Sequence, residues 1–339
     1  MPHSNISVFV PHVGCPHTCA FCNQRTITGT EKIPGGEDVR RICTKALSEI
    51  KSPQDTEIAF FGGSFTAIPR KYMLELLTAA SEFVGEGKFA GIRLSTRPDY
   101  IDEEVLEILK SYGVTSIEMG AQSMCDDVLS ANERGHTSED VENASRLIKK
   151  FGFELGLQMM IGLYKSTPEK ERESFEKICG LCPDTLRLYP VVILDGTKLG
   201  ELYKCGEYET FNFDTAVELC SEFLTSAESR GIRVIKLGLH ASEFVEEKML
   251  GGYYHPAFRE LCEGKIYRNT IEKALVFGGN LKVRSAVLSV PARSLSKALG
   301  QKKCNIKYFA DKGISLKIVP DKEQFQSVKV LEINGTAVR

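Results

Sequence analysis

Short apolar runs rich in Val, Ile and Phe recur along the chain between amphipathic stretches. ISVFV at 6–10, EIAFF at 57–61, GIRLS at 91–95, TSIEM at 115–119, FELGLQMMI at 153–161 and TLRLYP at 185–190 are short and β-rich, and they read as buried parallel strands. Between them the helical period predicts helices over 37–51, 71–84, 103–112, 138–151 and 168–179, several opened by an Asp, Ser or Thr cap. Strand and helix thus alternate about six times, which implies parallel βα units with right-handed crossovers and ligand sites at the carboxyl ends of the strands. The expected fold class is α/β, a partial (β/α)6 barrel of TIM type.

After a further helix over 213–230 and a strand over 231–237 the pattern changes. A Gly-containing helical segment is expected over 242–275, and LKVRSAVLSV, NIKYF, ISLKIV and VKVLEI read as short strands of a small α+β module. The expected domains are a barrel over 1–240 and a C-terminal extension over 241–339. Residues 241–339 hold 17 Lys and Arg against 10 Asp and Glu, in a chain whose net charge is -2. An anionic partner for that basic extension, such as tRNA, is one expectation, and a solvated surface is the other.

Composition narrows the class. Hydrophobic residues at 42% and charged residues at 26% are ordinary for a globular protein. The sequence has no apolar run of membrane-crossing length and no signal-peptide pattern, so a cytoplasmic location without a membrane partner is expected. Eleven cysteines, an odd number in a chain of this size, point to reduced thiols and a metal site rather than disulfides.

The candidate chemistry begins with GCPHTCAFCNQ, where Cys15, Cys19 and Cys22 follow the first strand in C-x3-C-x2-C spacing. Three thiolates on one loop hold three irons of a [4Fe-4S] cube and leave the fourth open to a small-molecule ligand. The alternative is a zinc loop completed by His12 or His17. FFGGSF at 60–65 ends the second strand on glycines whose backbone a ligand can approach closely. Polar motifs follow in LSTRPDYI, IEMGAQS, ANERGHT and LQMMIGL.

This ordered set resembles the radical S-adenosylmethionine (SAM) superfamily. The resemblance implies a [4Fe-4S] cluster on Cys15, Cys19 and Cys22 and SAM as second cofactor. It places SAM's ammonium group on the backbone of Gly62, Gly63 and Ser64, its ribose or methionine portion by Gln122, its carboxylate on Arg134 and a ribose contact at Gln158. Electrons would come from a donor such as ferredoxin or flavodoxin, and SAM would break to methionine and a 5'-deoxyadenosyl radical.

Within the superfamily GGSFTAIP, STRPDYI, GAQSMCDDVLSANERGHT, LQMMIGL and LRLYPVVILDGTKLGELYKCGEY resemble the Elongator catalytic subunit and its bacterial relatives, which modify carbon 5 of wobble uridines in tRNA using acetyl-CoA. Three departures stand out. The cysteines are closer together than in Elongator subunits, and Ser95 occupies the SAM-contacting position where relatives tend to carry Glu. The residues after 240 show no acetyl-CoA-binding loop, as expected of a short bacterial form without the acetyltransferase domain. The rival readings are a tetrapyrrole enzyme like oxygen-independent coproporphyrinogen oxidase and a non-catalytic iron–sulfur or RNA-binding module. Cys179 and Cys182 form a CxxC that an auxiliary cluster would use with Cys205 or Cys262, or are plain buried thiols. Tyr189, Lys198, Tyr203 and Tyr208 are either channel residues or packing.

Overall fold

A computed structural model describes residues 4–10, 15, 19–23, 33–239, 243–276, 283–323 and 327–338. Two compact units emerge, Met1–Phe211 with Ala227–Tyr254 and Asn212–Ser226 with His255–Arg339.

The first unit is built on β1 (Ser4–Val10), β2 (Thr56–Gly62), β3 (Gly91–Thr96), β4 (Val114–Gln122), β5 (Glu154–Ile161) and β6 (Thr185–Pro190). Helices α1 (Gly36–Glu49), α2 (Arg70–Ser81), α3 (Glu103–Ser111), α4 (Asp126–Ala131), α5 (Ser138–Lys150) and α6 (Pro168–Gly180) connect them. Beyond lie β7 (Val192–Leu194), α7 (Lys198–Lys204) and β8 (Arg233–Leu237), while most of α8 (Phe213–Ser229) belongs to the second unit. The sheet runs β1-β2-β3-β4-β5-β6-β8, every pair parallel, with β1 and β8 at opposite edges. This is the expected partial barrel with one strand more than six, because β8 pairs with β6 and continues the same sheet.

The two faces of the strands differ. Parallel pairing puts residues in register on one face. Ile58, Ile92, Leu94, Ile117, Leu155, Leu157, Leu186 and Leu188 make up the outer face and are at most 1% exposed. The helices supply Leu76, Leu77, Leu106, Leu109, Val141, Ile148 and Phe175 to the same buried set, each burial contributing about 1.5–3 kcal/mol. The inner face is polar. Ala59, Arg93, Ser116 and Glu154 form one row and Ser95, Glu118, Gly156 and Thr185 the next.

Helix starts follow local chemistry. The Asp102 carboxylate accepts the Val105 N–H at the head of α3, and Thr137 with Asp140 forms a capping box at α5. Thr167 caps α6, whose first residue, Pro168, has no N–H to satisfy. Inside α6 the buried Glu171 turns back to the loop after β5, accepting from the Gly162 N–H at 2.7 Å and the Ser166 hydroxyl at 2.6 Å. Gly162 has φ +84, and a Cβ there would lie 2.5 Å from the Tyr253 ring.

The segment expected as a helix over 242–275 is interrupted: α9 (Glu243–Lys248) gives way to β9 (Met249–Gly252), which pairs antiparallel with β7, before α10 (Phe258–Val276) begins. Gly251 and Gly252 disfavour helix. A Cβ on Gly252 would stand 2.4 Å from the Val191 carbonyl oxygen, so glycine permits the close strand approach.

In the second unit, β10 (Ser285–Pro291) pairs parallel with β11 (Ser315–Asp321) and antiparallel with β12 (Lys329–Ile333), and β13 (Thr336–Ala337) borders β12. Helices α11 (Leu295–Leu299) and α12 (Cys304–Asp311) join β10 to β11. Ile271, Leu275, Ala286, Leu288, Phe309 and Leu316 make the core. NIKYF, expected as a strand, is the body of α12. Asn305 is fully buried and donates to the Gly264 and Ala298 carbonyls, while Phe309, four residues on and on the same helical face, enters the core.

Burial pushes Glu171 up to about 7, from an ordinary 4.5. Its folded-state value therefore lies above the unfolded one. The native chain binds the extra proton between these values, so this group's stabilising contribution is complete below about pH 4.5 and is lost as pH rises to about 7. Denaturant melts of wild type and Glu171→Gln at pH 5 and pH 8 should show the wild type losing about 3 kcal/mol more than the variant across that interval. Equal losses would show that this carboxyl does not titrate there.

Candidate functional site

Arg93 crosses the inner face with no exposed surface. Its guanidinium bonds Glu57 at 2.8 Å, Glu118 at 3.2 Å and Glu154 at 2.7 Å, joining carboxylates from three strands. Arg187 grips Glu118 from the other side, with Nε 2.5 Å from Oε2 and Nη2 2.7 Å from Oε1. Burial opposes both guanidinium charges, but the facing carboxylates prevail and hold both above the usual range. The Arg187 guanidinium lies 5.2 Å from the Phe61 ring centroid and donates to the Tyr189 phenol at 3.4 Å. Gln158 meets Ser95 at 3.5 Å and Glu118 at 3.4 Å, so these two expected contact residues share the layer above Arg93.

At the carboxyl ends of the strands, Gln122, Arg134 and Cys19 converge around Gly120. Arg134 donates to the Cys19 sulfur at 3.0 Å and to the Gly120 carbonyl at 2.8 Å. A Cβ on Gly120 would stand 2.9 Å from the Gln122 side-chain nitrogen, so glycine opens the room in which these groups sit. The Gln122 Oε1 and the Arg134 Nε are buried without a hydrogen-bond partner. Gln122 itself holds φ 65, the strained left-handed region, where β4 turns into the following loop.

The cysteine segment is tied down on both sides. The Ala20 N–H bonds the Asn132 carbonyl at 3.1 Å, the Ala20 carbonyl accepts the Leu199 N–H at 2.7 Å, and the Cys22 N–H bonds the Cys19 carbonyl. Cys19 is buried, while Cys15 and Cys22 are partly exposed. Arg97, 3% exposed and bonded to Asp99 at 2.8 and 2.9 Å, interacts electrostatically with Cys19 and Cys15. Burial works against its charge, and Asp99 followed by the two cysteines overcomes it. Beside the segment, His136 has its pKa lowered to about 4 by burial and then by Arg134, and its Nδ1 is buried without a partner.

Gly62, Gly63 and Ser64 end β2 beside the end of β1, with the Gly63 N–H on the Val10 carbonyl at 2.9 Å. Gly62 has φ +118, and a Cβ there would lie 2.8 Å from that oxygen. His12 and His17 lie outside the described residues, as does His240. Cys179 is buried at the end of α6 and Cys182 is exposed. Tyr208 bonds the Gly162 carbonyl and Lys198 pairs with Glu133, so both have structural partners. Tyr189 belongs to the inner face. Arg93, Glu118 and Arg187, and with them Arg97 and His136, were not anticipated from sequence. The signal lay in single charges set between apolar neighbours in IRL, IEM and LRL.

Among the described residues no three His, Cys, Asp or Glu side chains form a closed metal cage. The donor set nonetheless fits an iron–sulfur cube. Cys15, Cys19 and Cys22 form no disulfide, the buried guanidinium groups of Arg134 and Arg97 interact with Cys19, and buried polar atoms of Gln122 and Arg134 lack partners around Gly120.

The model of the radical SAM superfamily matches residues 9–178, and that of the radical SAM C-terminal domain matches residues 183–268. The chain belongs to the radical SAM superfamily. Among curated relatives it is 32% identical over 256 residues to a tRNA uridine(34) acetyltransferase of Methanocaldococcus infernus, covering 64% of this chain and 48% of that protein. It is 32% identical over 193 residues to human Elongator complex protein 3, covering 51% of this chain and 35% of that one. The chain thus spans about half or less of the length of these two Elongator-type homologues. The fold resembles the structure of archaeal M. infernus Elp3 lacking residues 1–46, with a TM-score of 0.56 at 21% identity over 80% of this chain and 63% of that one. Streptococcus suis SuiB bound to SAM shares the fold at a TM-score of 0.50 and 14% identity, over 71% of this chain and 51% of that one. No described helix is long and apolar enough to cross a membrane.

Removing one partner of a buried ionic network leaves the others uncompensated and typically costs about 3–5 kcal/mol. Arg93→Met should therefore lower the thermal midpoint sharply, and Arg93→Met combined with Glu57→Gln and Glu154→Gln, which removes two of the carboxylates left uncompensated, should lower it less. The check is calorimetry of both variants, and an equal or greater loss in the multiple variant would contradict the network's charge balance.

Proposed function

We propose that this chain is a radical SAM enzyme that binds a [4Fe-4S] cluster on Cys15, Cys19 and Cys22 and acts on a uridine of tRNA. The observation that carries the reading is the meeting of Cys19, Arg134 and Gln122 around Gly120, at the carboxyl edge of the sheet. When bound, the reduced cluster with SAM supplies a 5'-deoxyadenosyl radical for hydrogen abstraction.

The chain's own residues position and shield. Arg134 has an unpartnered Nε that, with the second hydrogen of Nη2, makes a forked donor suited to a carboxylate, and its bonds to Cys19 and the Gly120 carbonyl keep that donor beside the cysteine segment. Gln122 offers its unpartnered carbonyl oxygen to a hydroxyl or amine. The Gly62–Ser64 turn exposes backbone to an ammonium group, and Ser95 and Gln158 offer polar contacts one layer below. Glu118, fixed between two guanidinium groups, sets the floor and keeps Gln158 oriented. The tRNA substrate rests on the names of the relatives, tRNA uridine(34) acetyltransferase among them.

Purified without oxygen and reconstituted with iron and sulfide, wild type should form 5'-deoxyadenosine from SAM when dithionite is added, and Cys19→Ala should fall to background. Arg134→Lys, with its iron content measured, should retain the cluster and need about tenfold more SAM, because a bidentate pair becomes a point contact. With tRNA present, mass spectrometry of the digested RNA should show a SAM-dependent change at uridine. Cluster-loaded wild type that forms no 5'-deoxyadenosine with tRNA present would refute the assignment.

A further inference from the structure

The second unit contains a βααβ element on which none of the residues of the proposed site lies. β10 leads into α11, the turn Gly300–Lys303, α12 and then β11, which returns parallel to β10. We propose that this element is a binding surface for single-stranded RNA, with the Gly300-Gln301-Lys302-Lys303 turn clamping the sugar–phosphate backbone.

Three observations converge on it. The first is architecture. Two short helices joined by a tight glycine turn on a small sheet resemble KH-type modules, whose GXXG loop clamps about four nucleotides of single-stranded backbone, with Lys303 here in the place of the second glycine. Gly300 has φ +75, and a Cβ there would stand 2.6 Å from the Cys304 sulfur, so nothing larger fits the turn. The turn closes through the Lys303 N–H on the Gly300 carbonyl at 2.9 Å. The second is support from beneath. The buried Asn305 amide bonds the Gly264 and Ala298 carbonyls at 2.8 and 3.0 Å and accepts from the Arg268 Nε at 3.0 Å, fixing the start of α12 against α10.

The third is charge. Between Arg293 and Lys317 the sequence carries seven Lys and Arg and one acidic residue, Asp311. Lys297 and Lys312 are engaged with Glu263 and Glu272. Lys302, Lys303 and Lys307 bond no described carboxylate. Lys302 and Lys303 also hold φ 51 and φ 59, a region that lysine rarely adopts, so two adjacent ammonium groups are displayed from a constrained turn rather than from a flexible tail. An excess of unpaired cations in a chain of net charge -2 matches a polyanion. The narrow turn favours a single strand over the broad face that a duplex requires.

The test uses the whole 339-residue chain without cluster or SAM, so its outcome is independent of the radical reading. Fluorescence anisotropy with a labelled, unstructured RNA oligonucleotide is compared with an RNA duplex of equal length across a salt series. The variant is Lys302→Asn with Lys303→Asn, since Asn accepts left-handed backbone better than Lys and the fold should survive. A matched control, Lys322→Asn with Lys329→Asn, removes two cations elsewhere in the unit. Wild type should prefer the single strand. The turn variant should bind it about tenfold or more weakly, and its log–log salt slope should fall by about 1.4, the release of two phosphate contacts. The control should bind within about twofold of wild type. Absent RNA binding, preference for the duplex, or equal losses in both variants would overturn the proposal.

Discussion

Arg93 is the charge around which the first unit is organised. A parallel sheet covered by helices on one side must still fill its other side, and here neighbouring strands project carboxylates and guanidinium groups onto that inner face. Taking such charges out of water is costly unless each is met in kind. Glu57, Glu118 and Glu154 converge on Arg93, and Arg187 completes the coordination of Glu118. The network gives the open sheet a rigid floor without closing it. Gln158, Ser95 and Tyr189 stand on that floor, and the carboxyl ends of the strands remain free for the site.

Above this floor the chemistry depends on glycines and arginines more than on acids or bases. Gly120 leaves the space that Gln122 and Arg134 share, and Gly62 lets β1 and β2 approach closely at Val10. Arg134 and Arg97 set positive charge beside the cysteine segment, which lowers the cost of gathering thiolates in a partly buried corner. The fold holds the segment through backbone bonds to Asn132 and Leu199, so two later parts of the chain position a motif at its beginning.

Much of this was legible in the residues. The first six strands and most of the helices fall within a few residues of the expectation, because their apolar periodicity is strong and their caps are explicit. C-x3-C-x2-C was legible because few other arrangements need three cysteines in so short a span. The inner network was not: a charge inside an apolar strand carries no sign of where its partners lie, and Glu57, Arg93 and Glu154 meet only after β2, β3, β4 and β5 have paired. NIKYF misled because Ile, Tyr and Phe favour strands locally, while the buried Asn305 and its carbonyl partners decide for helix. The break at Gly251 and Gly252 depends on β7, a strand of only three residues with little periodic signal of its own.

Cys15, Cys19 and Cys22 would hold a [4Fe-4S] cube, with one iron left open to SAM. Electron paramagnetic resonance of the reconstituted, reduced protein, recorded before and after SAM is added, tests it most directly. The account predicts a [4Fe-4S] signal whose line shape changes on adding SAM and that is lost in a variant lacking the three cysteines. A signal that SAM leaves unaltered, or one that persists without those cysteines, would contradict it.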